Sequence, residues 1–131
     1  RVQVLLGLGE FDQARKESRE ALAVVERHMA SFPDDPSALN LGALALIQVG
    51  EEEQALRWLD RALQIDPDDP IVLYNAACGF ALLGRTNTAL NYLESALAHG
   101  TISLDWMSND EDLASLRGDP RYARLAERLA N

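Results

Sequence analysis

The chain has a single cysteine, Cys78, in 131 residues. An internal disulfide is therefore impossible, which suits a reducing, cytoplasmic setting. Histidine is almost as scarce, with only His28 and His99. Neither has a partner at metal-ligand spacing, and Cys78 belongs to no CxxC pair, so no metal and no cofactor is expected. No apolar run approaches the roughly 20 residues that a membrane span requires. Basic charge is thin: 11 Arg and 1 Lys face 21 acids, a net charge of −9. Nucleic acid needs a concentrated basic face, and neither it nor a membrane is an expected partner. The acidic stretch Asn109–Asp112 lacks the alternating ligands and central glycine of a calcium loop. No catalytic constellation emerges, and the chain is not expected to be an enzyme. The apolar share of 47% nevertheless fits a folded domain, and 131 residues are enough for one.

What is present is a sentence written twice. Pro33-Asp34-Asp35-Pro36 recurs 34 residues later as Pro67-Asp68-Asp69-Pro70, and Leu39/Leu73, Ala43/Ala77, Gly50/Gly84, Ala55/Ala89, Leu56/Leu90, Leu59/Leu93, Ala62/Ala96 and Leu63/Leu97 follow in register. Self-similarity at a fixed period of this size is the signature of stacked supersecondary units.

Each copy predicts two helices. Asp35 and Asp69 stand as N-caps, followed by the first-turn prolines Pro36 and Pro70. Apolar residues recur at helical spacing through Leu39, Ala43, Leu46, Ile47 and through Leu73, Ala77, Phe80, Ala81. Gly50 and Gly84 end these helices, because glycine adopts the left-handed conformation without a Cβ penalty. The second helices, 51–65 and 85–99, carry the stripes Ala55, Leu59, Ala62, Leu63 and Ala89, Leu93, Ala96, Leu97. The repeated alanines let paired helices approach closely. Such a pair buries its remaining apolar face by stacking on a neighbour.

The ends are less regular. Gly9-Glu10, Gln13-Ala14 and Ala21-Leu22 match Gly50-Glu51, Gln54-Ala55 and Ala62-Leu63 at an offset of 41 rather than 34. The difference corresponds to about two helical turns. Residues 1–32 are thus expected to be a truncated first unit: a turn at Gly9, then one long second helix to about Ala30. The start at Arg1, with little of a first helix before Gly9, suggests a piece of a longer chain. Residues 33–66 and 67–100 are the second and third units. From Thr101 the repeat degrades, and 101–131 is expected to be an irregular capping segment. In it Ser103 caps a short helix, Leu113–Leu116 forms a single turn, and Asp119-Pro120 starts a last helix to about Ala130. Trp106 is expected to plug the open end of the third unit.

These columns resemble the tetratricopeptide repeat: the 34-residue period, small residues on both helices, Gly50 and Gly84 at the inter-helix turns, and Pro67 closing a unit. Phe11, two residues after Gly9, fits the family's aromatic position. Leu39 and Leu73 replace its early tryptophan, and Glu52 and Thr86 replace its later aromatic. The resemblance implies an all-α solenoid of antiparallel helix pairs with a C-terminal helical cap. The tail, with Asp105-Trp106 and then DEDLASLRGDPRYARL, is similar to the closing segment of repeat regions in bacterial multidomain signalling or regulatory proteins, and implies an accessory role in the cytoplasm.

The family binds extended or helical segments of partner proteins in a groove lined by the first helices. Carried onto this chain, that lining comprises Ser37, Asn40, Leu44, Ile47, Gln48, Ile71, Tyr74, Cys78 and Leu82, with Asn75 adjacent and Tyr74 as the expected anchor. Asn75 could bond a ligand backbone or its own neighbouring turn. The first helices contain no Lys or Arg, so no clamp for a C-terminal carboxylate is expected. The segment in the groove could belong to another protein or to the longer parent chain. The competing reading is architectural: a scaffold spacer or self-association segment without a separate ligand, which would form a homodimer.

Overall fold

The computed structural model describes residues 2–100 and 102–130, with side chains from residue 13 onward. Among these, α1 spans Val2–Ser31, α2 Pro36–Gln48, α3 Glu52–Ile65, α4 Pro70–Leu82, α5 Thr86–His99, α6 Leu104–Asn109 and α7 Pro120–Ala130, with a 3-10 helix at Glu111–Leu116 between the last two. No strand occurs among the described residues. The fold is an all-α solenoid: α2 pairs with α3, α4 pairs with α5, and α4 stacks on α2.

Local chemistry sets the boundaries. Asp35 accepts hydrogen bonds from the Ser37 and Ala38 amides, and Asp69 from those of Ile71 and Val72. These bonds satisfy amide donors that a helix start leaves orphaned. At the other ends Gly50 and Gly84 have φ of 88° and 77°. Glu51 N–H donates to the Leu46 carbonyl and Gly50 N–H to that of Ile47. Arg85 and Gly84 repeat the pattern on Phe80 and Ala81. This is the paired C-cap bonding of the Schellman motif, made twice.

Packing follows the sequence stripes. Leu39, Ala43, Ala55, Leu59, Ala62, Ala77, Ala89, Leu93 and Ala96 are all essentially without solvent exposure. Close approach is enforced at two glycines that the alanine columns do not include. A Cβ on Gly42 would stand 2.2 Å from the Trp58 ring, and one on Gly79 would stand 2.8 Å from Leu59 Cδ1. The indole of Trp58 thus packs against the Gly42 backbone, a contact available only where no side chain intervenes.

Two expectations at the ends are corrected. The backbone from Val2 to Ser31 is one unbroken α-helix, so the turn expected at Gly9 is absent. Glycine inside a helix costs about 1 kcal/mol, too little to force a break by itself. The aromatic role suggested for Phe11 lies outside the described side chains, and Thr101 lies outside the described residues. Trp106 does not plug the third unit. It is half exposed, with its ring tilted on Tyr74 at a centroid distance of 5.3 Å. The seal is made instead by Met107, Leu113 and Leu116, all fully buried.

The tail also keeps the repeat register. α6 begins at Leu104, 34 residues after Pro70. Gly118 stands 34 after Gly84, and α7 begins at Pro120, 34 after Thr86. Met107 occupies the column of Leu39 and Leu73 and is equally buried. The segment is therefore a fourth copy whose first helix is broken at Asp110, which has extended φ and ψ of −80° and 111°. Beyond the break the 3-10 helix packs on α4.

Candidate functional site

The concave side is built from α1, α2, α4 and the 3-10 helix. Between them runs a groove of about 510 Å³. Its α1 bank is Ala14, Glu17, Ser18 and Ala21, and its α2 floor is Leu41, Leu44, Ala45 and Gln48. Leu82 and Asp112 close the far end. Helices α2 and α4 contain no charged side chain, so the charges lining the groove come from Glu17 and Asp112. Both are acids. Asp112 is half-buried, and its carboxyl is held above the usual carboxylate range, first by desolvation and then by the charges of Asp110 and Glu111.

The residues nominated from the sequence divide into two groups. Leu44, Gln48 and Leu82 meet in the groove. Ile47 is half-buried against the core, and Ser37 and Ile71 are exposed at the start of their helices. Asn40 is fully buried between units, where its Nδ2 donates to the Val72 carbonyl at 3.4 Å while its Oδ1 has no hydrogen-bond partner. Tyr74 and Cys78 are closed over by the tail, at 1% and 2% exposure. A ring this enclosed has little surface to offer a ligand. Asn75 beside them is half-buried.

Asp110 explains the closure. Its Oδ2 accepts from the Tyr74 hydroxyl at 2.7 Å and lies 3.7 Å from Cys78 Sγ, while its Oδ1 accepts from the Asp112 amide. Its backbone carbonyl accepts from the Arg117 guanidinium at 2.6 Å. Burial, with the neighbouring acids, pushes both the Tyr74 hydroxyl and the Cys78 thiol well above their ordinary pKa. Cys78 is thus a protonated packing residue and a poor nucleophile. Ligand atoms of Cys78, Asp110 and Asp112 lie within 4.8 Å of one another, but the Asp110 carboxylate is committed to capping and to Tyr74.

The histidines serve local structure. His28 Nε2 donates to Asp35 at 2.8 Å, and His99 Nδ1 donates to the Ser95 carbonyl at 2.8 Å. Arg61 pairs with Asp34 across the second unit. No helix among the described residues is long and apolar enough to cross a membrane.

The sequence reading missed Leu41, Glu17 and Asp112. Leu41 is 58% exposed, and a large apolar residue left open on a groove floor is the signal that could have flagged it.

Helix pairs stacked in register around an open concave groove define an α-solenoid of the repeat type. A family model for the tetratricopeptide repeat matches residues 36–69. With the all-helical architecture and the paired units on either side, that match supports a tetratricopeptide-repeat protein. Such repeats serve protein–protein interaction. Comparison with curated proteins finds no match.

Proposed function

We propose that the chain is a non-enzymatic interaction module whose concave groove holds an apolar, helical or extended segment of a partner protein flanked by basic residues. The observation that carries this reading is a groove lined by exposed Leu41 and half-buried Leu44 and Leu82, whose charged lining residues, Glu17 and Asp112, are both acids. Apolar anchors supply affinity, and complementary flanking charge supplies selectivity and association rate. The role is accessory: the tail's similarity to repeat regions of bacterial multidomain proteins favours a cytoplasmic setting beside a regulatory domain.

The test is a titration with two fluorescent amphipathic peptides sharing one leucine face, one with lysine flanks and one with glutamate flanks. The lysine peptide should bind more tightly by about tenfold, about 1.4 kcal/mol. Leu41→Asp, at an exposed position of the lining, should abolish that binding while leaving helicity unchanged. Equal affinity for both peptides, or binding that survives Leu41→Asp, would overturn the reading.

A further inference from the structure

The groove walls have counterparts elsewhere in the molecule, and there a helix covers them. In register, Ala14, Ser18 and Ala21 of α1 correspond to Ala55, Leu59 and Ala62 of α3, and to Ala89, Leu93 and Ala96 of α5. The α3 and α5 residues are all without solvent exposure; α2 lies along the first set and α4 along the second. On α1, Ala14 and Ala21 are exposed and Ser18 is half-buried, and they form one bank of the groove. The floor agrees. Leu41 is exposed, while its counterpart Asn75, one period later, is half-buried where α4 stacks on α2. Both walls are shaped for the same neighbour, a helix lying between α1 and α2.

The covering helices carry one pattern. Leu39 clusters with Ala62, and Ala43 and Leu46 with Ala55 and Leu59. Leu73, Ala77 and Phe80 repeat the spacing over α5. Each set is a large apolar residue, a small one four places on, and a second large one three places beyond. In a helix that stretch spans about 10 Å at 1.5 Å per residue, the same as Ala14 to Ala21. The small residue lets two backbones approach, and the large ones fill the space beside the alanines. An extended segment turns alternate side chains to opposite faces and does not reproduce that spacing.

One column sets the charge. Trp58 and Tyr92 turn their rings onto α2 at Gly42 and onto α4 at Phe80. On α1 the same column holds the exposed Glu17. A helix in the groove therefore meets a carboxylate where α2 and α4 meet a ring, and a basic residue in the column of Gly42, directly before the small residue, answers it. Resting on the groove reading above, we propose that the occupant is a partner helix antiparallel to α1, in the place of a first helix, with the pattern Leu-x-x-Lys-Ala-x-x-Leu. Its first leucine lies over Ala21, its alanine over Ser18 and its second leucine over Ala14, and its lysine pairs with Glu17. Arginine serves as well as lysine, and phenylalanine as well as the second leucine.

The probe is a lysine-flanked peptide of about 16 residues, long enough to hold a helix, built around that pattern. Proline in place of its alanine should weaken binding about a hundredfold by breaking the helix. Leucine there should weaken it about tenfold by overpacking. Disulfide trapping reads the pose. The parent chain, whose one thiol is buried, should give no adduct. Ala21→Cys, at an exposed position, should trap the peptide that carries cysteine for its first leucine, and Ala14→Cys the peptide that carries it for its second. The reversed pairing, or equal trapping of both peptides at both positions, would overturn the proposal. A proline peptide that binds as well as the helical one, with both losing affinity to Leu41→Asp, would sink the helix and leave the groove reading standing with an extended occupant. Failure of every lysine-flanked peptide to bind would overturn both.

Discussion

The oxygens of Tyr74 and Asp110 approach to 2.7 Å across 36 residues of sequence. This bond ties the third unit to the fourth, because Asp110 sits at the break where α6 gives way to the 3-10 helix. Tyr74→Phe removes one partner of a bond to a charged group, at a cost of about 1–2 kcal/mol. Asp110→Ala also strips the amide cap of the 3-10 helix and strands the Tyr74 hydroxyl, for about 2–4 kcal/mol. The double variant should cost less than the two losses added together, as expected for residues in direct contact. Urea unfolding of the four chains measures it; strict additivity would show that the bond is not formed in solution.

Asn40 behaves oppositely. Its side chain is fully buried, makes one long bond of 3.4 Å and leaves Oδ1 unpaired. An unsatisfied buried acceptor is costly. Asn40→Leu, similar in shape, should stabilise the chain by about 1 kcal/mol, seen as a higher urea midpoint with the same slope. The next unit has Tyr74 in this column, so a larger side chain is tolerated at that place in the repeat.

Two classes of glycine should respond differently to alanine. Gly42→Ala drives a methyl into the Trp58 ring and should cost about 2–3 kcal/mol by overpacking. Trp58→Leu in the same chain should recover much of that loss. Gly50→Ala meets open space but sits at φ 88°. It should cost about 1 kcal/mol, and no second substitution nearby should rescue it. Melting temperatures of these three variants separate collision from backbone strain.

Acid titration should expose two carboxylates working against each other. The Asp35 carboxyl is held below its ordinary value, chiefly by the His28 hydrogen bond and by the amides it caps. Its contribution is present above the unfolded value of about 3.8 and is lost as the pH falls through the lower folded value. Asp112 has the opposite sign. Its carboxyl is raised, so the folded state holds that proton more firmly, and stability falls as the pH rises from about 3.8 through the folded value. Asp112→Asn should therefore stabilise the chain at neutral pH and remove that decline, while weakening the lysine-flanked peptide. Stability curves against pH for the parent chain and Asp112→Asn decide it.

The middle of the molecule was legible because its signals are local. A cap needs Asp35 beside Pro36, a Schellman turn needs Gly50, and a stripe needs Ala55, Leu59 and Ala62 on one face; each is satisfied within a few residues of chain. The ends are less local. A glycine costs a helix about 1 kcal/mol, so Gly9 alone does not tell a turn from the continuous helix that is found there. The burial of Tyr74 and Cys78 depends on an acid more than thirty residues away, in a copy that keeps its alanines only on the second helix, at Ala123 and Ala130. Gly118, one period after Gly84, marks the copy, but Asp110 and Glu111 stand where Ala76 and Ala77 stand one period earlier and hide its first helix.

The break at Asp110 has a consequence for how long such an array can grow. A further unit would need a continuous first helix at 104–116 to lean against, and this copy offers two short pieces hinged at a half-buried acid. The third unit is thus covered not by a foreign lid but by a spoiled copy of itself. A chain in which that acid reverts to alanine, and the helix heals, would regain an edge on which another unit could be written.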